Sequence, residues 1–417
     1  MNKKSFFYLI LAILCSCTQK ESVLLNATPE KVDLSSDRLN QIKPVMQRYV
    51  DENKLPGMIT MVARRGKVVN FEKYGLMDVN QPMQLNTIFR IASMTKPVTS
   101  VAVMMLYDKG YFKLDDPVAN YIPEFKNLKV FSSKAKNGLI LADQIRPMSI
   151  RDLLSHTSGL GSGWGDNPVD SMYREANLSE GTLKEMIQKL SKIPLLYQPG
   201  TKWEYGRSTD VLGYLVEVIS GKPFNKFLKE EIFNPLAMKD TDFYVPNEKL
   251  DRVAAVYGVA DTIGLKVIMP DTSNVSKPMK FLSGNGGLVS TATDYMIFSQ
   301  MLINKGKFNG IRLLKSKTVD LMTEVQTSKA IMPDDEFFGP LLSGMGFGLG
   351  FAVLQDNTQS NKFGTAGSYW WSGSANTYFF IDPKEEIVLV LMMQFVPNFH
   401  YPVFKDFRDL VYKAIVD

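Results

Sequence analysis

The sequence predicts an α/β fold of the α+β kind, in which strands from both ends of the chain form one antiparallel sheet flanked by helices. A mainly helical lobe is inserted between these ends. One β-hairpin is expected near the N-terminus, where apolar strands at 58–63 and 67–71 flank a turn at 65–66. A second is expected near the C-terminus, where strands at 377–381 and 387–393 flank a turn that contains proline.

Amphipathic helices precede and follow these hairpins. The first is expected to begin at Ser35 or Ser36, either of which can cap a helix, and Pro44 should kink this helix or mark its true start. The last covers 403–414, where apolar residues recur at helical spacing. Loops and helices alternate through the middle of the chain.

These elements divide the body of the chain, residues 35–417, into two lobes. The sheet lobe covers about 35–120 and 280–417, and the helical lobe covers about 121–279. We expect a catalytic cleft between the lobes, where such sites usually form. Residues 18–34 are interpreted as a polar tether.

The N-terminus resembles an export signal. Lys3 and Lys4 precede an apolar run at 6–14, and roughly nine apolar residues are too few to span a bilayer. The run ends in Leu-Cys-Ser-Cys, which resembles a bacterial lipobox, so residues 1–17 form the signal peptide and Cys17 becomes the lipidated first residue. The alternative is an ordinary signal peptide cut nearby. The sequence therefore predicts an exported cell-envelope lipoprotein, on the periplasmic side or at the outer membrane.

Composition argues against several functional classes. The net charge of +5 is spread without a Lys/Arg run, so no nucleic-acid partner is expected. The two cysteines, Cys15 and Cys17, both lie in the signal segment, which leaves no disulfide or thiolate metal site in the body. The two histidines, His156 and His400, occur without a Gly-x-Ser-x-Gly motif, which argues against a Ser-His-Asp triad and a zinc site. His156 is interpreted as a hydrogen-bonded structural residue and His400 as a surface or packing residue, and no metal or cofactor is expected.

The strongest chemical signal is the pair Ser93 and Lys96. Apolar residues after Pro97 fall at helical spacing up to Gly110, so Ser93 lies at the start of a buried helix with Lys96 one turn later on the same face. A neutral lysine amine can accept the proton of a serine hydroxyl, and the positive end of a helix favours developing negative charge. Because Ser-x-x-Lys also occurs by chance, how strongly it indicates a catalytic pair depends on the rest of the chain.

Other segments, in the same order along the chain, resemble the serine β-lactamase and penicillin-binding-protein superfamily. The resemblance runs from about residue 36 to 415 and is closest to class C β-lactamases and family VIII carboxylesterases. It implies a hydrolase in which Ser93 forms an acyl-enzyme with an ester or an amide. The segments are 114–118 (LDDPV), 153–160 (LLSHTSGL), 210–213 (DVLG), 286–291 (GGLVST) and 346–350 (GFGLG).

The resemblance assigns the family's general-base tyrosine to Tyr205, in the segment Trp-Glu-Tyr-Gly-Arg. A phenol normally ionises near pH 10, so Tyr205 is expected to need cationic neighbours such as Lys96. Arg207 stands where β-lactamases carry asparagine, which disfavours β-lactam amide recognition and suggests a carboxylate clamp instead. One alternative is that Tyr205 is a packed core residue. Another is that the family's second motif is not the Tyr205 segment but Ser283-Gly284-Asn285, which matches the Ser-x-Asn form of other branches.

The third motif of the family is assigned to Trp371-Ser372-Gly373-Ser374, which resembles the Trp-Gly-Gly variant of the esterases. Its first residue is not lysine, so a cation that would hold a substrate carboxylate is missing. By the resemblance, the backbone N–H groups of Ser93 and Ser374 form the oxyanion hole. Lys362-Phe363-Gly364 is a rival for this motif. Trp164 is interpreted either as lining a substrate pocket or as closing over the core.

Together these residues favour a carboxylesterase that uses no cofactor and acts on a small-molecule ester. The alternatives are a β-lactamase, a D-Ala-D-Ala carboxypeptidase or D-aminopeptidase, and an inactive relative that binds cell-wall peptide or a protein partner. The expected site consists of the catalytic residues Ser93, Lys96 and Tyr205 and the substrate or oxyanion residues Ser374, Gly373, Trp371 and Arg207.

Overall fold

The computed structural model describes residues 24–260, 264–269, 272, 274–333, 338–355 and 364–416. The strands are β1 (Leu25–Asn26), β2 (Gly57–Arg64), β3 (Lys67–Asp78), β4 (Gln81–Pro82), β5 (Phe89–Arg90), β6 (Val130–Ala135), β7 (Gly138–Ala142), β8 (Val256–Val259), β9 (Leu265–Met269), β10 (Val289–Ser290), β11 (Lys307–Phe308), β12 (Ile311–Arg312), β13 (Met345–Phe347), β14 (Ala352–Leu354), β15 (Tyr369–Gly373), β16 (Thr377–Asp382), β17 (Ile387–Met392) and β18 (Phe395–Val396). The helices are α1 (Ser36–Leu39), α2 (Ile42–Asp51), α3 (Thr95–Asp108), α4 (Ile150–Leu154), α5 (Pro168–Glu175), α6 (Leu183–Leu190), α7 (Ser208–Ser220), α8 (Phe224–Leu228), α9 (Asn234–Leu236), α10 (Ala292–Ile303), α11 (Ser316–Thr323), α12 (Phe338–Leu341) and α13 (Val403–Lys413).

The main sheet joins the two ends of the chain. Its order is β1-β3-β2-β17-β16-β15-β14-β13, and β4 extends β3. The N-terminal and C-terminal hairpins meet where β2 pairs with β17, with Arg64 opposite Ile387 and Ile59 opposite Met392. Every pairing in this sheet is antiparallel except that of β1 with β3. The predicted fold class is confirmed.

Helices cover this sheet because its central strands have no polar face. All six residues of β17 are buried, which is typical of a continuous apolar run that is covered on both faces. Helix α10 packs on β2, β16 and β17, while α2 packs on β3 and against α13. The terminal helix predicted at 403–414 is thus α13, which packs on α2 beside the sheet.

The middle of the chain supplies the second wall of the site. Helix α7 is apolar and largely buried, and it contacts α3, α4, α6 and α8. Its contact with α3 brings the segment that precedes α7, which contains Tyr205, next to the segment that precedes α3, which contains Ser93. Two positions far apart in sequence thus meet because two helices begin side by side.

The N-terminal region starts its ordered structure earlier than residue 35. In the described part of the predicted tether, β1 pairs with β3, and Val32 and Leu34 are buried. The predicted helix is divided: Ser35 caps α1, and α2 then begins with Pro44 in its first turn. Residues 1–23, which contain the predicted signal peptide, Cys17 and the rest of the tether, lie outside the described residues. A membrane-spanning helix needs about 20 apolar residues, and no helix in the described part of the chain meets that requirement.

A buried carboxylate organises the turn that leads from α4 to the cleft. Asp152 accepts hydrogen bonds from the Ser149 backbone N–H at 2.8 Å and from Thr157 Oγ1 at 3.1 Å. It also accepts two from the Arg146 guanidinium, at 2.6 and 2.8 Å. The side chain therefore ties residues on both sides of α4 into one unit.

We expect Asp152→Asn to lower the free energy of unfolding by about 2–4 kcal/mol, because several donors lose a buried charged acceptor. Urea-induced unfolding followed by circular dichroism measures this change. The matched control is Asp115→Asn. Asp115 pairs with Arg151 at 2.7 Å, but its side chain is 75% exposed, so its loss should cost less than about 1 kcal/mol. Equal losses for the two variants would contradict the prediction.

Candidate active site

The Ser93 hydroxyl is presented by a tight 3₁₀ turn, Ala92–Met94, at the start of α3. Ala92 has a φ of +44°, which is uncommon for a residue with a side chain and persists only where the surroundings impose it. The buried Tyr295 hydroxyl donates to the Met94 carbonyl at 2.9 Å, and the Met94 N–H donates to the Ile91 carbonyl at 3.0 Å. The turn that carries Ser93 is therefore fixed from two sides.

Lys96 is placed to act on Ser93. Its Nζ donates to Ser93 Oγ at 3.0 Å and to the Asn285 carbonyl at 2.8 Å, and its side chain is only 3% exposed. Burial lowers the pKa of Lys96 to about 7; Asp210 acts against this shift and Arg207 adds to it. A large fraction of Lys96 is thus neutral near pH 7 and can accept a proton from Ser93.

The segment Ser283-Gly284-Asn285 supports Lys96 through its backbone. Ser283 Oγ and the Asn285 N–H donate to Asp210 Oδ1 at 2.7 and 3.0 Å, and Thr99 Oγ1 donates to the Gly284 carbonyl at 2.8 Å. These bonds fix the Asn285 carbonyl that holds Lys96. The segment that was the alternative for the second motif therefore lies in the site, beside Lys96. In the sequence, Asp210 stood out only as part of the segment 210–213, which resembles the family.

Tyr205 packs over the Lys96 amine. Lys96 Nζ lies 4.4 Å from the centre of the Tyr205 ring, and Trp371 Nε1 donates to Tyr205 Oη at 3.3 Å. Burial raises the pKa of Tyr205 to about 12, and hydrogen bonding with Ser93 and Trp371 offsets this only in part. The expected help from a cationic Lys96 is not realised, because the two hydrogen bonds, and not the amine, are what oppose the effect of burial. Tyr205 is therefore a neutral phenol at pH 7, and of the two groups only Lys96 has its proton-accepting form substantially populated at that pH.

Arg207 is turned away from the place where it was expected. Its Nη1 lies 3.2 Å from Asp210 Oδ2 and donates to Ser179 Oγ at 3.4 Å. Arg207 is not among the described residues that line the cavity beside Ser93. In this geometry it balances the buried charge of Asp210, because a buried carboxylate needs a partner. The structure does not support the expected carboxylate clamp.

The segment Trp371–Ser374 closes the other side of the site. A Cβ atom at Gly373 would lie 2.4 Å from the Ile91 carbonyl oxygen, so only glycine lets the end of β15 approach the turn that carries Ser93. Ser374 follows directly and faces the same cavity as Ser93. In the rival segment, Lys362 and Phe363 lie outside the described residues.

The Ser93 hydroxyl faces a cavity of about 590 Å³, a size typical of small-molecule sites. Ser93, Tyr205, Trp371 and Ser374 all line it, so the structure brings these predicted residues together. Trp164 lines the cavity as well and is 69% exposed, which favours the pocket interpretation over closure of the core.

The two histidines take structural positions. The His156 ring centre lies 5.1 Å from that of Tyr205, and burial, together with the nearby Lys96, lowers the pKa of His156 to about 3. His156 is therefore neutral. The expected hydrogen bond is not found at its buried Nδ1, which has no partner among the described residues, and the ring packs against aromatic neighbours instead. His400 is exposed and packs on Tyr401. Across the described chain, no group of three or more His, Cys, Asp or Glu residues could hold a metal.

Comparison with known proteins gives consistent matches. The Beta-lactamase family profile matches residues 42–411. An uncharacterised protein of Mycobacterium tuberculosis is 33% identical over 359 residues, which cover 85% of this chain and 89% of the relative. Esterase EstB of Burkholderia gladioli is 29% identical over 398 residues, covering 89% and 94%. A protein of Escherichia coli (strain K12), provisionally named a D-alanyl-D-alanine carboxypeptidase, is 26% identical over 426 residues, covering 94% and 90%.

Among solved structures, EstCE1, a hydrolase with promiscuous acyltransferase activity, superposes with a TM-score of 0.75. It is 25% identical, and the match covers 90% of this chain and 99% of EstCE1. The two proteins thus share their fold over 90% of this chain.

The geometry predicts that kcat/KM depends on pH through the protonation of Lys96. If Lys96 must be neutral to accept the Ser93 proton, kcat/KM rises with pH up to about 7 and then levels. At pH 5 it should be about 100-fold below the plateau, since the neutral fraction falls about tenfold per pH unit. Initial rates of ester hydrolysis between pH 5 and 9 measure the profile.

The variant Arg207→Gln gives a second test of whether Lys96 sets this profile. Arg207 lowers the pKa of Lys96, so removing its charge should move the midpoint to higher pH. A profile that is flat between pH 5 and 8 would exclude Lys96 as the titrating base.

Proposed function

Since this chain belongs to the Beta-lactamase family, we propose that it is a serine hydrolase whose nucleophile is Ser93 and whose preferred substrates are carboxylic esters. The family resemblance seen in the sequence is confirmed, and it includes esterase relatives. One observation carries the proposal: a buried amine with a pKa near 7 lies 3.0 Å from the Ser93 hydroxyl. Such a pair can move a proton at neutral pH without any other group.

In the first step Ser93 Oγ attacks the ester carbonyl carbon, and its proton passes to the Lys96 amine. The carbonyl oxygen becomes an oxyanion, which the backbone N–H groups of Ser93 and Ser374 would bind. Support for this assignment is that both residues line the cavity and that Gly373 lets the two segments approach closely. Preorganised donors of this kind typically change kcat by about 100- to 1000-fold.

In the second step the tetrahedral intermediate collapses and the alcohol leaves. The neutral Tyr205 hydroxyl donates a proton to the departing oxygen, and the proton held by Lys96 restores Tyr205. The phenol suits this role because burial raises its pKa to about 12 and keeps it protonated. Water then takes the place of the alcohol and attacks the acyl carbon while one of its protons passes to the Lys96 amine. The bond between the acyl carbon and Ser93 Oγ breaks, Lys96 returns the proton to Ser93 Oγ, and the acid is released.

The cavity favours neutral esters over anionic substrates. β-Lactams and D-alanyl peptides carry a carboxylate, which a cation would have to hold, whereas Trp371 occupies the corresponding position and Arg207 pairs with Asp210. Lys202 also lines the cavity, but its Nζ lies 4.7 Å from the Tyr197 ring centre and 3.3 Å from the Tyr197 hydroxyl. The esterase relative EstB supports the same substrate class.

We expect kcat/KM to be higher for p-nitrophenyl butyrate than for nitrocefin. A charge-assisted contact to a desolvated carboxylate is worth about 1.5–3 kcal/mol, or roughly 10- to 150-fold, and its loss affects only the anionic substrate. Parallel initial-rate measurements with the same preparation give the ratio. A ratio below one would overturn the esterase assignment.

Ser93→Ala is the control for the nucleophile. The variant should hydrolyse neither substrate and should not be labelled by a fluorescent fluorophosphonate, while the wild type should carry the label on the peptide containing Ser93. Circular dichroism should show that the variant is folded. Labelling that persists in Ser93→Ala would place the nucleophile elsewhere.

We further propose that the protein is exported and anchored by a lipid at Cys17. The support is the Leu-Cys-Ser-Cys ending of the N-terminal apolar run. In a bacterial host, a palmitate analogue should label the wild type and not Cys17→Ala. Cys15→Ala serves as the matched control and should still be labelled. Labelling that is the same in all three proteins, or absent from all three, would contradict lipidation at Cys17.

A further inference from the structure

Trp164 is an exposed aromatic residue at the mouth of the active-site cavity. Its side chain is 69% exposed, and its ring centre lies 5.8 Å from that of Tyr205. Tyr205 in turn interacts with Ser93. When a large apolar side chain lies mostly in water beside a catalytic group, a bound ligand can bury the rest of its surface.

The backbone on both sides of Trp164 is held in place. Arg174 Nη1 donates to the carbonyl of Gly163 at 2.6 Å and to that of Gly165 at 2.8 Å. Arg174 Nη2 also donates to Ser171 Oγ at 3.0 Å, which steadies the guanidinium on α5. A single side chain thus holds the carbonyl groups of the two residues on either side of Trp164.

The same loop is anchored on the side of Tyr205. The Gly161 N–H donates to the buried Tyr173 hydroxyl at 3.0 Å, and the Arg207 N–H donates to the Gly161 carbonyl at 3.1 Å. Gly165 packs so closely on Asp170 that a Cβ atom there would lie 2.4 Å from Asp170 Oδ2. The backbone that carries Trp164 is therefore held in place, which reduces the backbone entropy lost when a ligand binds.

Other aromatic rings continue the wall from Trp164 into the cavity. The ring centre of Tyr205 lies 5.5 Å from that of Trp371 and 5.1 Å from that of Phe338, and Trp203 stacks on Tyr205 at 5.8 Å. All of these residues line the cavity. Aromatic ligands gain from offset or edge-to-face contacts with such rings beyond the gain from burial alone.

We propose that Trp164 binds the substrate and selects esters that carry an aromatic ring a few bonds from the scissile carbonyl, and that Arg174 is a positioning residue for Trp164. This proposal rests on the proposed function, since it assigns the substrate class of the same site. A ring stacked on Trp164 lies next to Tyr205, and its ester carbonyl then falls at Ser93.

The test uses two esters of nearly equal size, ethyl phenylacetate and ethyl cyclohexylacetate, with hydrolysis followed by titration of the released acid. The wild type should favour the phenyl ester by about 3- to 10-fold in kcat/KM, mainly through KM. Trp164→Leu should bring the ratio close to one, and Trp164→Phe should retain most of the preference. Tyr111→Leu, at an aromatic residue that is 55% exposed and does not line the cavity, should leave the ratio unchanged.

Arg174→Met should lower the phenyl preference while the protein stays folded, and Arg174→Lys should restore part of it, because an ammonium can still donate to both carbonyls. The ratio is the informative quantity, since general loss of folded protein lowers both rates equally. If Arg174→Met leaves the ratio at the wild-type value, Arg174 does not position Trp164.

Binding to Ser93→Ala, measured by calorimetry, separates this inference from the chemistry. If the wild type hydrolyses both esters equally, the selectivity proposal fails and the proposed function stands. If the wild type hydrolyses neither ester but Ser93→Ala binds the phenyl ester more tightly, the proposed function fails and the binding role of Trp164 stands. If there is neither hydrolysis nor selective binding, both fail.

Discussion

The structure depends on one costly interaction, the burial of the Lys96 amine against the Ser93 hydroxyl. A lysine out of water resists protonation, and the same desolvation that brings its pKa to about 7 makes it a base at neutral pH. Its hydrogens still need acceptors, which Ser93 and the Asn285 carbonyl provide. The charge of Asp210 keeps the shift from going further, and Arg207 balances that carboxylate.

The need to surround this amine explains why distant parts of the chain converge. The sheet lobe contributes the turn before α3 and the end of β15, where glycine at 373 permits the closest approach. The middle of the chain contributes Tyr205 and Asp210, whose positions are fixed by the packing of α7 on α3. Neither part alone would exclude water from Lys96, so the base exists only in the complete fold.

The features that local sequence determines were predictable, and those that depend on burial depth or backbone geometry were not. The hairpins, the beginning of a helix just before Pro44 and the Ser93–Lys96 pair follow from periodicity and spacing, which neighbouring residues set. The pKa of Tyr205 moves upward because burial outweighs its hydrogen bonds with Ser93 and Trp371, and burial depth cannot be read from a motif. The Asn285 carbonyl was missed as a Lys96 partner because any residue type supplies a carbonyl.

The buried amine also connects the mechanism to the choice of substrate. A carboxylate brought beside Lys96 would stabilise its ammonium form and raise its pKa, so with an anionic substrate less of the amine would be in the neutral form that can accept the Ser93 proton. A relative that uses anionic substrates needs a second cation to offset that effect. Here Arg207 is paired with Asp210 and Trp371 replaces the expected lysine. Much of the remaining wall is aromatic, and under the proposal for Trp164 selectivity comes from contacts with these rings.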